Sequence, residues 1–225
     1  EVFAPSFRDR VVHHLIYKYL SEIFEADFIN DSYSCRVGKG TLYGIYRLKD
    51  MIHNCSKGYR KDCYVLKLDI RSYFYNINKN ILYRICEKKM KRTFYDDKYD
   101  LVNYLLKKVL FDDVVGGAIK IGSNESWKLI KKNRSLYHTS EGVGLPIGNL
   151  TSQLFSNIYM NEFDQFMKDD LNIKHYGRYV DDFVVVHEDK FFLKKLMKTS
   201  RRFLENNLGL ELHPNKIYLQ HYSKG

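Results

Sequence analysis

The sequence predicts an α+β fold in which helices pack on one face of a small antiparallel sheet. Long segments repeat apolar side chains at helical spacing, whereas segments rich in β-branched and aromatic residues are few and short. Helices and strands also lack the regular alternation of a parallel βαβ fold. With 225 residues, 44% of them hydrophobic, and three prolines, the chain is long enough to bury a core.

The first half of the chain contains four predicted helices and one predicted strand. Recurring apolar pairs predict a helix at 7–25, and a second helix follows a glycine-containing polar segment at about 43–54. Residues 64–70 are typical of a short strand that ends in an acid. Helical patterns return at about 79–91 and 99–110.

The second half begins with an irregular, basic segment at 116–144, for which loops and short strands are predicted. A helix whose apolar face lies within 154–166 follows, and then two short strands around residues 181–182. The last predicted elements are a helix at about 189–207 and an extended segment at 210–219.

Lysine and arginine outnumber aspartate and glutamate by 37 to 27, which gives a net charge of +10. This excess favours a polyanionic partner, because neutralised phosphates release counterions and strengthen binding at low salt. A basic surface that only keeps the protein soluble is the alternative. The chain has no long apolar run and no signal-peptide pattern, so we expect a cytoplasmic protein without membrane contact. Four irregularly spaced cysteines predict free thiols.

Two adjacent carboxylates, Asp181 and Asp182, lie in the segment RYVDDFVVV, whose other side chains are mostly typical of strands. Like charges about 4 Å apart repel by roughly 4 kcal/mol at an effective dielectric constant of about 20, and a bound cation would offset that cost. The other Asp-Asp pairs lie at predicted helix ends or turns, where solvation explains them.

These two carboxylates converge only if the backbone turns between them, as in a tight hairpin, because neighbouring strand residues point to opposite faces. Asp69 also ends an apolar strand, and on the adjacent strand it would face the hairpin. Three such carboxylates can hold one or two Mg²⁺ ions, and two ions about 3.5–4 Å apart can clamp both reacting oxygens of a phosphoryl transfer. The residues therefore predict metal-dependent phosphoryl transfer; solvated hairpin acids are the alternative.

Six segments follow one another along nearly the whole chain: FRDRVVHH (7–14), CRVGKGT (35–41), LDIRSYF (68–74), GLPIGNLTSQ (144–153), YVDD (179–182) and HPNK (213–216). In this order they resemble the motifs of reverse transcriptases. The first resembles the opening block of the bacterial enzymes, the second a fingers block, and the third the motif of the first catalytic acid. The fourth resembles the block at the primer and nucleotide, the fifth the signature tetrapeptide, and the sixth the next motif, which bears a lysine.

The resemblance implies which residues bind metal and assist the leaving group. Asp69, Asp181 and Asp182 would bind two Mg²⁺ ions, with Mn²⁺ as the alternative metal, and the carbonyl of Ile70 would be a further ligand. Lys216 would neutralise or protonate the departing pyrophosphate. A solvated lysine is the alternative.

The resemblance also implies a site for the incoming deoxynucleotide. Arg36 and Lys39 would bind its triphosphate, and the backbone amides of Ser72 and Tyr73 would add donors there. Phe74 would block a ribose 2′-hydroxyl and so select deoxynucleotides. A core aromatic is the alternative.

Ile147, Gly148 and Gln153 would also lie at the nucleotide. Many relatives carry glutamine and then Ser-Pro in this block, where this chain has Ile147 and Ser152-Gln153. That variant resembles the reverse transcriptases of diversity-generating retroelements, which are related to those of group II introns. Because isoleucine cannot make the hydrogen bonds of glutamine, the resemblance implies low fidelity, notably opposite template adenine.

The resemblance implies a right-hand polymerase with fingers at 1–60 and 79–148 and palm at 61–78 and 149–225. The sequence stops where the family usually continues into a thumb. We therefore expect a fingers and palm piece whose isolated activity is weak or absent.

We expect an RNA-directed DNA polymerase that adds deoxynucleoside triphosphates to a DNA or RNA primer on an RNA template. It would be error-prone, belong to a retroelement and have a basic accessory protein as a further partner. Two alternatives remain open. One is an RNA-binding maturase that assists splicing of a group II intron, and the other is a phage-defence reverse transcriptase that makes untemplated or protein-primed DNA.

Overall fold

The computed structural model describes residues 1–224, and all the long helices and strands predicted from the sequence are present. The helices and strands in chain order, including the short α3 and α6 that were not predicted, are α1 (Phe7–Phe24), α2 (Thr41–Cys55), β1 (Tyr64–Ile70), α3 (Tyr73–Asn76), α4 (Lys79–Thr93), α5 (Asp96–Leu110), α6 (Asn124–Lys128), α7 (Leu150–Gln165), β2 (Tyr176–Tyr179), β3 (Asp182–His187), α8 (Lys190–Phe203) and β4 (Leu212–His221). The predicted α+β class is confirmed.

The prediction of short strands within 116–144 is wrong. This segment forms α6 and two short 3₁₀ turns, Lys132–Arg134 and Leu136–His138. Ser123 precedes α6, and its side chain accepts a hydrogen bond from the amide of Ser126, which starts a helical turn in place of an extended one.

The chain falls into two compact units. The first contains residues 1–27 and 72–159, and the second contains residues 28–71 and the described residues from 160 onwards. In the first unit α1, α4 and α5 contact one another, and each buries one apolar stripe. The stripes include Ile16 and Leu20, Leu82 and Cys86, and Val102 and Leu106. The predicted division into fingers and palm stays a prediction.

The second unit is built on a four-stranded sheet with the order β2-β3-β1-β4, in which all neighbours are antiparallel. The central strand β1 alternates between its two faces. Leu66, Leu68 and Ile70 are buried on one face, whereas Lys67 and Asp69 project from the other. The same strand therefore supplies both core residues and charged residues.

Helices pack against both faces of this sheet. Phe163 of α7 lies 5.0 Å from Phe183 and 5.8 Å from Phe203 of α8, measured between ring centroids. Val186 is three positions from Phe183 on β3, so it faces the other way, and there it packs with Met51 of α2. The face that carries Lys67 and Asp69 is thus partly covered by α2.

All four cysteines are free thiols, as predicted. Burial raises the pKa of Cys63 to about 12 and also raises the pKa of Cys86, so both thiols stay protonated at neutral pH. Among residues 1–224, no helix combines the length and the apolar character needed to cross a membrane.

Candidate active site

Asp69 and Asp182 are direct partners across the antiparallel pair of β1 and β3. Opposed residues of an antiparallel pair project to the same face, with Cα atoms roughly 4.5–5.5 Å apart. The amide of Ile70 also donates to the carbonyl of Asp181 at 3.2 Å, which ties the end of β1 to the hairpin. The two remote segments that the sequence predicted to meet are therefore neighbours.

Val180 and Asp181 form the turn of the hairpin, since Tyr179 at the end of β2 pairs with Asp182 at the start of β3. Val180 has a φ of 55°, in the left-handed region that is unfavourable for a β-branched residue. The tight hairpin with the two acids at its bend is confirmed, and its strained turn residue is a finding of the structure.

Lys216 reaches Asp69 from an irregular part of β4. The pairing of β1 with β4 places Leu68 opposite Ile217 but Ile70 opposite Leu212, so residues 213–216 stand where β1 has one residue. From this bulged segment the Nζ of Lys216 donates to Oδ2 of Asp69 at 2.7 Å. The lysine of the sixth motif thus contacts the acid of the third.

Lys67 is a site residue that the sequence analysis missed. Its Nζ lies 3.3 Å from Oδ1 of Asp182, and both side chains line a cleft of about 630 Å³ in the second unit. The signal was available, because Lys67 stands two positions before Asp69 on a strand and so shares its face.

The surroundings of Asp181 make its carboxylate costly to ionise. Burial is the main cause that raises the pKa of Asp181 to about 6, and the negative charges of Asp69 and Asp182 add to it. The hydrogen bond to Asp69 in turn raises the pKa of Lys216. The site as it stands therefore favours additional positive charge.

The donor atoms of this site are of the type that Mg²⁺ prefers, namely hard carboxylate oxygens. Within residues 1–224, no three Asp, Glu, His or Cys side chains converge closely enough to hold a metal ion in their present orientations. The residues nevertheless fit a divalent cation, because Asp69 and Asp182 already bind the ammonium groups of Lys216 and Lys67. The metal role of the carboxylates stays a prediction.

Arg36 and Lys39 lie in the second unit, where both contact backbone carbonyls. Nη1 of Arg36 donates to the carbonyl of Ile29 at 2.6 Å and to that of Ser32 at 3.0 Å. Nζ of Lys39 donates to the backbone and side-chain oxygens of Asn30 at 2.6 and 2.7 Å. A triphosphate would have to replace these acceptors, and the nucleotide role of both cations stays a prediction.

Ser72, Tyr73 and Phe74 lie in the first unit. Ser72 has a φ of 48° and precedes α3, and the hydroxyl of the buried Tyr73 donates to the carbonyl of Ser156 at 2.7 Å. The carbonyl of the half-buried Phe74 accepts from the amide of Leu145 at 2.8 Å. The third and fourth motifs therefore meet within this unit.

Ile147, Gly148 and Gln153 also belong to the first unit. The carbonyl of Ile147 accepts from the amide of Phe3 at 2.7 Å, and its side chain is exposed. Gly148 has a φ of 119°, and a Cβ there would lie 2.5 Å from the carbonyl oxygen of Phe3, so this position requires glycine. Gln153 is exposed on the first turn of α7. No contact with a nucleotide follows from these facts, and these roles stay predictions.

A buried ion pair between β2 and α7 is a second feature that the sequence did not predict. Arg178 of β2 and Asp164 of α7 are 1% and 0% exposed, and Nη2 of the arginine lies 2.6 Å from Oδ2 of the aspartate. The hydroxyl of Tyr176 donates to Oδ1 of the same aspartate at 2.6 Å. The available signal was Asp164 itself, an acid between Phe163 and Phe166 on the apolar face predicted for α7.

Comparison with known proteins agrees with this fold. Residues 2–224 match the family described as reverse transcriptase (RNA-dependent DNA polymerase). Protein YkfC of Escherichia coli K12 is 25% identical over 253 residues, an alignment that covers 98% of this chain and 59% of YkfC.

Solved structures of similar fold include telomerases. Apo telomerase from Candida tropicalis superposes with a TM-score of 0.63 at 14% identity, over 96% of this chain and 36% of that one. The same telomerase truncated from its C-terminal domain gives a TM-score of 0.63 at 16% identity, over 96% of this chain and 41% of that one. This chain therefore spans less than two thirds of these relatives, and at such identities the likeness concerns the fold. Because the family match extends over nearly the whole chain, the protein belongs to the reverse transcriptase (RNA-dependent DNA polymerase) family.

Proposed function

We propose that this chain is the part of an RNA-directed DNA polymerase that carries its chemistry, adding deoxynucleoside triphosphates to a primer on an RNA template. The observation that carries the proposal is the cross-strand pairing of Asp69 with Asp182, with Asp181 in the adjoining turn. Membership of the reverse transcriptase family supports it, and the net charge of +10 suits a nucleic-acid partner.

The three carboxylates and the carbonyl of Ile70 would hold two divalent cations, Mg²⁺ or Mn²⁺. When bound, these would stabilise charge on the attacking 3′-oxygen and on the leaving pyrophosphate. The protein's own contribution is to hold Asp69 and Asp182 on paired strands of a packed sheet, which keeps their oxygens in a fixed relation. Lys216, which now donates to Asp69, would neutralise or protonate the pyrophosphate.

The nucleotide site would combine cations and backbone donors. Arg36 and Lys39 would exchange their present carbonyl acceptors for phosphate oxygens, and the amides of Ser72 and Tyr73 would donate to the same group. Phe74 would exclude a ribose 2′-hydroxyl. The proposal includes the division expected of a right-hand polymerase, with fingers at 1–60 and 79–148 and palm at 61–78 and 149–225.

We further propose a low-fidelity enzyme of the diversity-generating retroelement type. The supporting feature is the fourth motif, in which Ile147, Gly148 and Gln153 would stand at the nucleotide and an apolar residue occupies the position at which many relatives carry glutamine. An exposed isoleucine at this position can contact a base pair but cannot accept or donate a hydrogen bond. A basic accessory protein belongs to the same proposal.

The test is primer extension by the full-length protein on a defined RNA template with a DNA primer. Asp69→Asn and Asp181→Asn should each lower the rate by at least about 100-fold, because each removes a carboxylate from the reacting centre. Asp170→Asn is the matched control, since this exposed acid also belongs to an Asp-Asp pair, and it should leave the rate unchanged. Equal rates in all variants would contradict the proposal.

The same assay separates the two alternative functions. RNA binding by a protein that synthesises no DNA, with or without Asp181, would favour a maturase. DNA synthesis that requires Asp69 but no RNA template would favour a phage-defence enzyme.

A further inference from the structure

We propose that Arg178 is a positioning residue that fixes the direction of the Asp181 carboxylate through the backbone of the hairpin turn. The catalytic consequence rests on the proposed function, whereas the positioning itself can be measured without it. The inference concerns residues of the second unit alone.

The guanidinium of Arg178 is held in place by the buried carboxylate of Asp164. Its Nε donates to Oδ1 of Asp164 at 2.8 Å and its Nη2 to Oδ2 at 2.6 Å, a two-point contact in which both groups are buried. The hydroxyl of Tyr176 donates to the same carboxylate. Charges removed from water in this way persist only with such complete pairing, so the guanidinium has little freedom to move.

The remaining terminal nitrogen of Arg178 binds the turn. Its Nη1 donates to the carbonyl of Val180 at 2.9 Å, and this carbonyl belongs to the peptide unit that joins Val180 to Asp181. A peptide unit is planar, and its carbonyl and amide point in opposite directions. Arg178 therefore sets the plane that immediately precedes Asp181.

The plane that follows Asp181 is fixed by a different element. The carbonyl of Asp181 accepts from the amide of Ile70 at 3.2 Å, so β1 holds this second peptide unit. The backbone has only two soft torsions at each residue, and those of Asp181 are set once both flanking planes are fixed. The direction of its Cα–Cβ bond follows from these two hydrogen bonds, and this bond sets the side of the turn from which the carboxylate extends.

The turn needs these two hydrogen bonds because its backbone is strained. Val180 adopts a φ of 55°, which a β-branched side chain disfavours, so a free turn would relax away from this conformation. Arginine suits the task because its planar fork bonds Asp164, Val180 and the hydroxyl of Ser32 at the same time. A lysine ammonium on this stem cannot span the same three acceptors.

The test compares the full-length protein with the double variant Arg178→Met, Asp164→Leu. Both charges are removed together, so neither is left buried and unpaired, and the fold should persist. Amide hydrogen exchange across residues 176–186 measures the turn directly. Titration with Mn²⁺, followed by electron paramagnetic resonance, measures the carboxylate site, and steady-state kinetics give kcat and KM for the nucleotide.

We expect at least about tenfold faster exchange in the turn, and a loss of about tenfold or more in both Mn²⁺ affinity and kcat, because small displacements of a reacting group are costly. The KM for the nucleotide should change by less than about threefold. Ser32→Ala is the matched control: it removes the contact at 3.3 Å on Nη2 and leaves the bond to Val180, so all four readouts should stay near wild type.

A double variant that is folded and keeps wild-type exchange and Mn²⁺ affinity would overturn the inference. If the double variant does not fold, Arg178→Lys decides by the same readouts, because it retains the charge opposite Asp164 and loses the bond to Val180. A wild-type protein that binds Mn²⁺ but synthesises no DNA would contradict the proposed function. The hydrogen-exchange and Mn²⁺ measurements would still decide whether Arg178 positions the turn.

Discussion

The ammonium group of Lys67 lies 3.3 Å from Oδ1 of Asp182, on the same sheet face as Asp69. The side chains of this pair are 49% and 39% exposed, and ion pairs so accessible to water contribute little to stability. The main effect of Lys67 should therefore be on other cations that approach Asp182.

Lys67→Met should strengthen divalent cation binding. Removing a positive charge a few ångströms from the carboxylates lowers the repulsion of an incoming cation, and through partly exposed surroundings we expect roughly a 3- to 10-fold gain in Mn²⁺ affinity. Isothermal titration calorimetry checks it, with Lys61→Met as the control at an exposed lysine of the same unit. Unchanged or weaker binding in Lys67→Met would show that this lysine does not compete with the cation.

The stability of the metal-free protein should depend on the protonation of Asp181. Its pKa is raised from 3.8 to about 6 in the folded chain, mainly by burial, so the folded state keeps a proton that the unfolded state has lost in this range. The free energy of unfolding should therefore fall as pH rises through this window.

Asp181→Asn removes this dependence. With a chelator present, the variant should be more stable than wild type above a pH of about 6, and the difference should shrink towards a pH of about 4. Urea unfolding at several pH values measures it. A constant difference between the two proteins at all these pH values would mean that Asp181 does not titrate as described.

Two substitutions at Lys216 separate its two proposed roles. Lys216→Arg keeps a positive charge near Asp69 but provides no proton at neutral pH, whereas Lys216→Met removes both. If proton donation matters, both variants should lose kcat by about tenfold or more with little change in KM. If only charge matters, Lys216→Arg should retain most of the rate in single-turnover primer extension.

Ile147→Gln should change the error spectrum of the polymerase. Glutamine restores hydrogen-bonding groups at an exposed position, so misincorporation opposite template adenine should fall several-fold. Sequencing of the products measures this. Ile121→Gln, at an isoleucine that is 86% exposed, is the control, and an identical spectrum for Ile147→Gln and wild type would remove the fidelity hypothesis.

The acids of the site could be found from the sequence because strands have a period of two. One apolar segment ends in Asp69, and a second has two acids at its centre. The three carboxylates can converge if the second segment forms a hairpin that pairs with the end of the first. The same period places Lys67 on the face of Asp69, but a pattern of acids alone does not predict its contact with Asp182.

Other features have no local sequence signal. The left-handed conformation of Val180 contradicts the preference of valine and is held by Arg178, whose role depends on a partner on α7. Likewise, the segment 116–144 has an irregular pattern that gave no helical signal, and the hydrogen bond from the amide of Ser126 to the side chain of Ser123 starts the helix there.

Strand β1 lies between β3 and β4 and has core residues on one side and Asp69 on the other. A slip of one residue in its pairing would turn Leu68 towards water and drive the acid into the apolar interior. If the proposed function holds, molecules with a slipped strand should therefore be inactive instead of partly active. Correct pairing of this central strand would then be a precondition for any catalysis.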